Sequence, residues 1–332
     1  MIAKLGRVDG LGESPVGMTN TQHALRVAEC GVTLARGIAP PVLLETLNRV
    51  LRARVATVMA VLGDRPIGIG SREGYHECVQ RSPGRFDIPL AASDLATVWG
   101  AEGTAAADVP WLGMVREILG HSARPSFCGV VFSKCVRSLS RQRPPMPSEP
   151  RTDAHARPAP SEQLTAKPPC PLRPGSPAQQ WHIDSPHEAR EHRDAHAVNV
   201  LLPLAEVPLA AGPTEVAPGS HFLTNHLRSP WLDRADLLYQ TATEVTPAAL
   251  LAHATLLGGG GGEGEDEGEG EGEDDTQALA AGDALIFDDR ALHRGLANCS
   301  ASERYVAYFS YARPRSGAAE DTHFEAVRSL FD

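Results

Sequence analysis

His182-Ile183-Asp184, a distant His293 and a following Arg304 are the residues of this chain whose types and spacing best combine into chemistry. In an extended segment, side chains two apart share a face, so His182 and Asp184 can both reach one metal ion. With His293 brought beside them, two imidazoles and one carboxylate form the 2-His-1-carboxylate set that suits Fe(II). That set leaves positions open for a co-substrate and O2. Arg304 lies in a strand-like run and offers a planar, permanently charged fork for a carboxylate. His-x-Asp alone says little in a chain with 13 histidines. The combination points to an iron-dependent oxygenase.

Several elements must position these residues. Gly31–Gly37 reads as a short strand and turn. Pro40 and Pro41 open a helix in which Leu43, Leu44, Leu47, Val50, Leu51, Val55, Val58 and Leu62 recur three and four apart. Gly63-Asp64 stops it. Residues 1–22 show no clear period and read as a loose lead. Short helices are expected over 93–99 and 111–119, and helix with loop over 229–253. Strands are expected over 127–133, 198–204 and 283–287, with 212–221 a turn, a short strand and a second turn. His293 falls in a loop over 288–298. Arg304–Tyr311 alternates, with Tyr305, Ala307, Phe309 and Tyr311 on one face and Arg304, Val306, Tyr308 and Ser310 on the other. Short strands with one N-terminal helical region suggest a β-sandwich or barrel-like core with helices packed outside.

Composition narrows the function classes. The chain has 332 residues, 42% of them hydrophobic, enough for a sizeable core, but 27 Pro and 31 Gly imply substantial loop. Nine carboxylates lie between Glu263 and Asp275, and without them the net charge of −10 falls to −1. No basic face emerges, so no nucleic-acid partner is expected. Cys135–Arg173, rich in Pro, Ser and Arg, cannot bury enough apolar area to order itself and reads as a disordered insertion, genuine or a gene-model artefact. A Gly/Glu tract over about 258–276 reads as a second insertion. Neither removes a candidate ligand. Gly68-Ile69-Gly70 with Gly74 has the wrong spacing and context for a dinucleotide loop. Six scattered cysteines suggest neither a disulfide framework nor a zinc site, and a reducing compartment fits better. No run of 18 apolar residues suggests a membrane span. The N-terminus lacks a signal-peptide core, so a cytoplasmic protein is expected, with organelle targeting left open.

Trp181-His182-Ile183-Asp184, then Gly212-Pro213-Thr214-Glu215-Val216-Ala217-Pro218-Gly219-Ser220-His221, then Gly282-Asp283, then His293-Arg294-Gly295 with Asn298 and Arg304, resembles the phytanoyl-CoA dioxygenase family. The resemblance runs from about Gly31 to Pro314, and 179–222 and 282–312 carry nearly all its specificity. It implies a mainly β fold with flanking helices: a double-stranded β-helix (jelly roll, cupin-like). It implies one Fe(II)/2-oxoglutarate dioxygenase domain over 23–325, behind the lead of 1–22. His182, Asp184 and His293 would ligate iron, and Arg304 would pair the C5 carboxylate of 2-oxoglutarate. With O2, such an enzyme hydroxylates a small organic substrate and releases succinate and CO2. Asp184 speaks against halogenating relatives, which need that carboxylate replaced.

Lys134, Gln180 and Ser300 are further candidate co-substrate contacts, with exposed strand-end residues as the alternative. Trp181 either walls the pocket or fills the core. His221 reads as a turn histidine, and His187, Glu188, His192 and His196 as a solvated loop, with the substrate mouth as the alternative. Two rival readings stay open. One is a catalytically idle jelly-roll scaffold. The other is a cupin-like metal enzyme without 2-oxoglutarate, which would not need Arg304. Substrate identity and oligomeric state are not legible.

Overall fold

The computed structural model describes residues 17–99, 109–135, 175–185, 187, 192–222, 255–256, 279–314 and 328–331. The expectations for 136–173, 229–253, 258–276 and Glu188 lie outside the described residues.

The chain enters through α1 (Asn20–Cys30), which the loose-lead expectation for 1–22 did not anticipate. Its signals are local. Thr19 accepts from the Gln22 amide while the Gln22 side chain accepts from the Thr19 amide, a capping box that satisfies two orphan donors. Val27 and Cys30 face inward, and Gly31 closes the helix at φ 76°. β1 (Val32–Ala35) follows, then α2 (Pro41–Leu62), as its three-and-four spacing predicts. β2 (Val79–Ser82) and β3 (Arg85–Pro89) form a hairpin. After it come α3 (Ala92–Trp99), α4 (Leu112–Leu119) and β4 (Arg124–Ser133).

The second half is mainly strand: β5 (Ala197–Pro203), β6 (Thr214–Val216), β7 (Thr255–Leu256), β8 (Ala284–Asp288), β9 (His293–Gly295) and β10 (Arg304–Ala312). Seven strands form one antiparallel sheet in the order β1-β8-β5-β10-β4-β3-β2, and a smaller sheet runs β7-β6-β9. This is the jelly-roll core with helices outside. His293 therefore lies in a strand, not in the loop that its Gly- and Asp-rich surroundings suggested.

The large sheet has two different faces because β10 alternates. Ala307, Phe309 and Tyr311 pack with α2 residues such as Leu47, Leu51 and Val58 in the main core. There Trp111 Nε1 donates to the Tyr311 hydroxyl at 2.9 Å. On the other face a second core of Val32, Leu34, Leu285 and Phe287 meets Val216 of the small sheet. Arg304, Val306, Tyr308 and Ser310 point into this inter-sheet space.

Gly31 joins the two regions. Its carbonyl accepts from the Asp288 amide at 2.9 Å, and a Cβ there would stand 2.6 Å from His221 Nδ1. Gly31→Ala should therefore cost about 1–3 kcal/mol from left-handed strain plus overpacking, readable by denaturant titration.

Of the cysteines, Cys30, Cys78 and Cys128 are free thiols. Against the reduced-thiol expectation, Cys299 is disulfide-bonded, and its partner lies outside the described residues. Among the described residues, no helix is long and apolar enough to cross a membrane.

Candidate metal centre and co-substrate pocket

His182 and His293 meet through backbone. The His182 amide donates to the His293 carbonyl at 3.1 Å, and the His293 amide returns the bond at 3.0 Å. This antiparallel bridge sets the two rings 4.3 Å apart on one side. Two residues on, the Asp184 amide donates to the Asp289 carbonyl at 2.8 Å, which keeps the segment extended and returns its carboxylate to the same face. Asp184 then stands 3.9 Å from His182 Nε2 and 3.5 Å from His293 Nε2. One donor atom from each residue lies within 4.8 Å of the others.

The tautomers suit a metal. His182 Nδ1 sits 2.9 Å from the Gln180 carbonyl and His293 Nδ1 3.1 Å from the Ala291 carbonyl. A carbonyl only accepts, so each Nδ1 carries the hydrogen and each Nε2 presents a lone pair. Burial, and next the adjacent His293, push the His182 imidazole down to about 4, so that ring is neutral at pH 7.

Two supports were missed from sequence. Asn199 on β5 donates to Asp184 Oδ2 at 2.6 Å, and the Ser310 hydroxyl of β10 donates to Asn199 Oδ1. Asn199→Ala should lower Fe(II) affinity by about 10- to 100-fold, the usual cost of losing a ligand's orienting partner, readable by calorimetry. Ahead of β9, Arg290 grips Asp288 at 2.6 Å, both buried. Burial alone would raise the Asp288 carboxyl, but the Arg290 contacts outweigh it and hold it below its ordinary value. The Leu292 amide donates to Ser220 Oγ at 2.8 Å, so the Pro-Gly-Ser-His turn braces the strand that presents His293.

Arg304 lies on the same face of the large sheet, 5% exposed. Its Nη2 donates to Ser133 Oγ at 3.2 Å, while its Nε and Nη1 are buried without a hydrogen-bond partner among the described residues. Burial pushes it down to about 10, still charged at neutral pH. Arg304 lines an apolar pocket with Leu201, Val207, Leu279, Leu285 and Val306. Leu285 shares a strand face with Phe287, whose ring lies 4.6 Å from that of His293. The pocket thus borders a cation with unused donors, on the strand face that also carries Phe287 beside His293. These residues fit iron with a bidentate 2-oxo acid at one end and a carboxylate at the other.

The other candidates fall elsewhere. Lys134 follows Ser133 and so takes the opposite face of the strand, with Nζ 5.4 Å from the Phe86 ring centre. The Gln180 side chain is exposed; its carbonyl does the work, on His182. The Ser300 hydroxyl is engaged in its own turn, with Asn298 Oδ1 at 2.7 Å and the Ser302 carbonyl at 2.9 Å. Trp181 is buried beneath Arg294, whose guanidinium lies 4.7 Å from its ring centre. His221 packs against α1, its Nε2 3.2 Å from the Ala28 carbonyl. His196 is buried with Ser185, contrary to a solvated loop.

A jelly roll with a His-Asp-His set facing an unsatisfied arginine defines an iron- and 2-oxoglutarate-dependent oxygenase. The family model for phytanoyl-CoA dioxygenase (PhyH) matches residues 77–306, and the chain belongs to that family. No curated protein matches it. Among solved structures it is similar to SnoK, a non-heme α-ketoglutarate-dependent carbocyclase from nogalamycin biosynthesis. That likeness has a TM-score of 0.50 at 11% identity, over 89% of this chain and 84% of the other. It is also similar to AviO1 from Streptomyces viridochromogenes Tue57, at 12% identity over 92% and 100% of the two chains, TM-score 0.49. HygX from Streptomyces hygroscopicus, with nickel and 2-oxoglutarate bound, is 12% identical over 93% and 94%, TM-score 0.46. At these identities the SnoK likeness speaks to the fold alone, and the two lower scores add no argument.

Proposed function

We propose that His182, Asp184 and His293 hold Fe(II), that Arg304 holds the distal carboxylate of 2-oxoglutarate, and that the enzyme hydroxylates a small organic substrate. The observation that carries this reading is the convergence of two Nε2 lone pairs and one carboxylate, in a fold that also sets a buried, under-partnered Arg304 in the wall of an apolar pocket. Bound iron would supply the redox chemistry that couples O2 to loss of CO2 from the 2-oxo acid. The chain's own work is positional. Gln180 and Ala291 carbonyls fix the imidazole tautomers, Asn199 fixes the carboxylate, and the sheets exclude water from the co-substrate. The balance is one O2, one 2-oxoglutarate and one C–H bond giving succinate, CO2 and an alcohol.

A buried polar wall supports a substrate with hydrogen-bonding groups. Arg81 pairs with Asp87 at 2.6 Å beside the Tyr308 phenol, and its charge acts on Asp184 and His182. Burial, then Asp87, raise that phenol well above its ordinary value, so it stays protonated and able to donate. We read the dioxygenase as one domain over 23–325, with α1 beginning at Asn20, just ahead of that start. The test is Fe(II)-dependent succinate release with and without a panel of polar small molecules. Stimulation by one member, with a matching hydroxylated product, would bear the reading out. Iron-dependent binding of 2-oxoglutarate with no product from any panel would leave the substrate class wrong.

A further inference from the structure

Arg304, Ser133 and Arg85 lie directly opposite one another across β10, β4 and β3. Both guanidiniums donate to the same hydroxyl oxygen, Arg85 Nε at 3.3 Å and Arg304 Nη2 at 3.2 Å from Ser133 Oγ. A hydroxyl oxygen has two lone pairs, so both are taken and its hydrogen must donate elsewhere. Among the described residues no acceptor receives it. Arg85 is 0% exposed, and its Nη1 and Nη2 donate to the Gly295 carbonyl at 2.9 Å and the Leu296 carbonyl at 2.5 Å. A Cβ on Gly295 would stand 2.5 Å from Arg85 Nη1, so the residue at 295 has to be small.

The charge balance around this row is unusual. Buried Arg290 pairs with Asp288, and Arg81 pairs with Asp87. Among the described residues, neither Arg85 nor Arg304 pairs with a carboxylate. Two guanidiniums thus share one hydroxyl in the interior without an anion, an arrangement that a bound anion would relieve. Among the described residues Arg304 Nε and Nη1 and the Ser133 hydrogen have no acceptor, and Arg304 lines the apolar pocket.

We propose that Arg85 is a second cation of the 2-oxoglutarate site that does not touch the co-substrate. It turns the Ser133 hydroxyl hydrogen toward the distal carboxylate and selects 2-oxo acids that carry that charge. This rests on 2-oxoglutarate occupying the Arg304 pocket. Arg304 is the contact, Ser133 the neutral donor beside it, and Arg85 the positioning residue behind both. Its bonds to Gly295 and Leu296 also tie this row to the end of β9, two residues from His293, so a purely structural role makes a different prediction.

The test compares two five-carbon 2-oxo acids, 2-oxoglutarate and 2-oxopentanoate, which lacks the distal carboxylate. Both are titrated anaerobically into Fe(II)-loaded full-length protein, with Fe(II) affinity measured alongside. Arg85→Gln should weaken 2-oxoglutarate at least about tenfold, about 1.4 kcal/mol, and leave 2-oxopentanoate within about twofold. Arg85→Lys, which keeps the charge, should keep the preference. Equal loss for both ligands, or loss of Fe(II) affinity to the same degree, would overturn the proposal and leave Arg85 a strut for β9. Arg85→Met stands in if Arg85→Gln does not fold. Failure of both neutral variants to fold with saturating 2-oxoglutarate would also assign the residue to the fold and overturn the proposal. Wild type that binds iron but neither acid would instead remove the co-substrate reading beneath it.

Discussion

Asp184→Ala should lower Fe(II) affinity by more than about a hundredfold and stop Fe(II)-dependent succinate formation. Loss of a mere orienting partner costs 10- to 100-fold, and Asp184 is itself a ligand and the only anion of the set. Its carboxylate lies 3.9 Å and 3.5 Å from the two Nε2 atoms. Without it, two imidazoles remain and no anion of the set offsets the metal's charge. The variant should still fold, because Asp184 lies at the mouth of the inter-sheet space and the His182–His293 bridge is made by backbone. Thermal denaturation checks the fold and anaerobic calorimetry checks the iron. Fe(II) affinity retained within about tenfold of wild type would remove Asp184 from the ligand set.

Arg304→Met should leave Fe(II) binding intact and weaken 2-oxoglutarate by about 30- to 5000-fold, from the about 2–5 kcal/mol cost of losing one partner of a buried charge pair. Methionine keeps the apolar stem and removes a cation whose Nε and Nη1 have no partner among the described residues. The metal-free variant should therefore melt no lower than wild type, while the stabilisation that 2-oxoglutarate gives wild type should be lost. A wild-type-like response to 2-oxoglutarate would favour a metal enzyme that works without it.

How far sequence reached depended on whether a contact is local. The α2 spacing, the β10 alternation and the His-x-Asp pair are written in consecutive residues, and each has its expected form. α1 was equally local, since Thr19, Gln22, Val27 and Gly31 spell a capped helix, but its polar first turn hid the period. His293 looked like a loop residue because β9 has three residues and is held from outside by Ser220 and His182. Arg85, Ser133 and Asn199 could not be found that way. Their roles come from register across β3, β4, β5 and β10, where the bonded partners are 48 to 171 residues apart in sequence. Lys134 shows the same limit in reverse, because one residue's shift along a strand changes the face.

The most direct test titrates anaerobic, metal-free full-length protein with Fe(II) and then with 2-oxoglutarate, beside Asp184→Ala. The site described here predicts one iron per chain in wild type, 2-oxoglutarate binding only after iron is added, and loss of both in the variant. A folded wild type that binds neither, or that binds 2-oxoglutarate equally well without iron and in the variant, would contradict it.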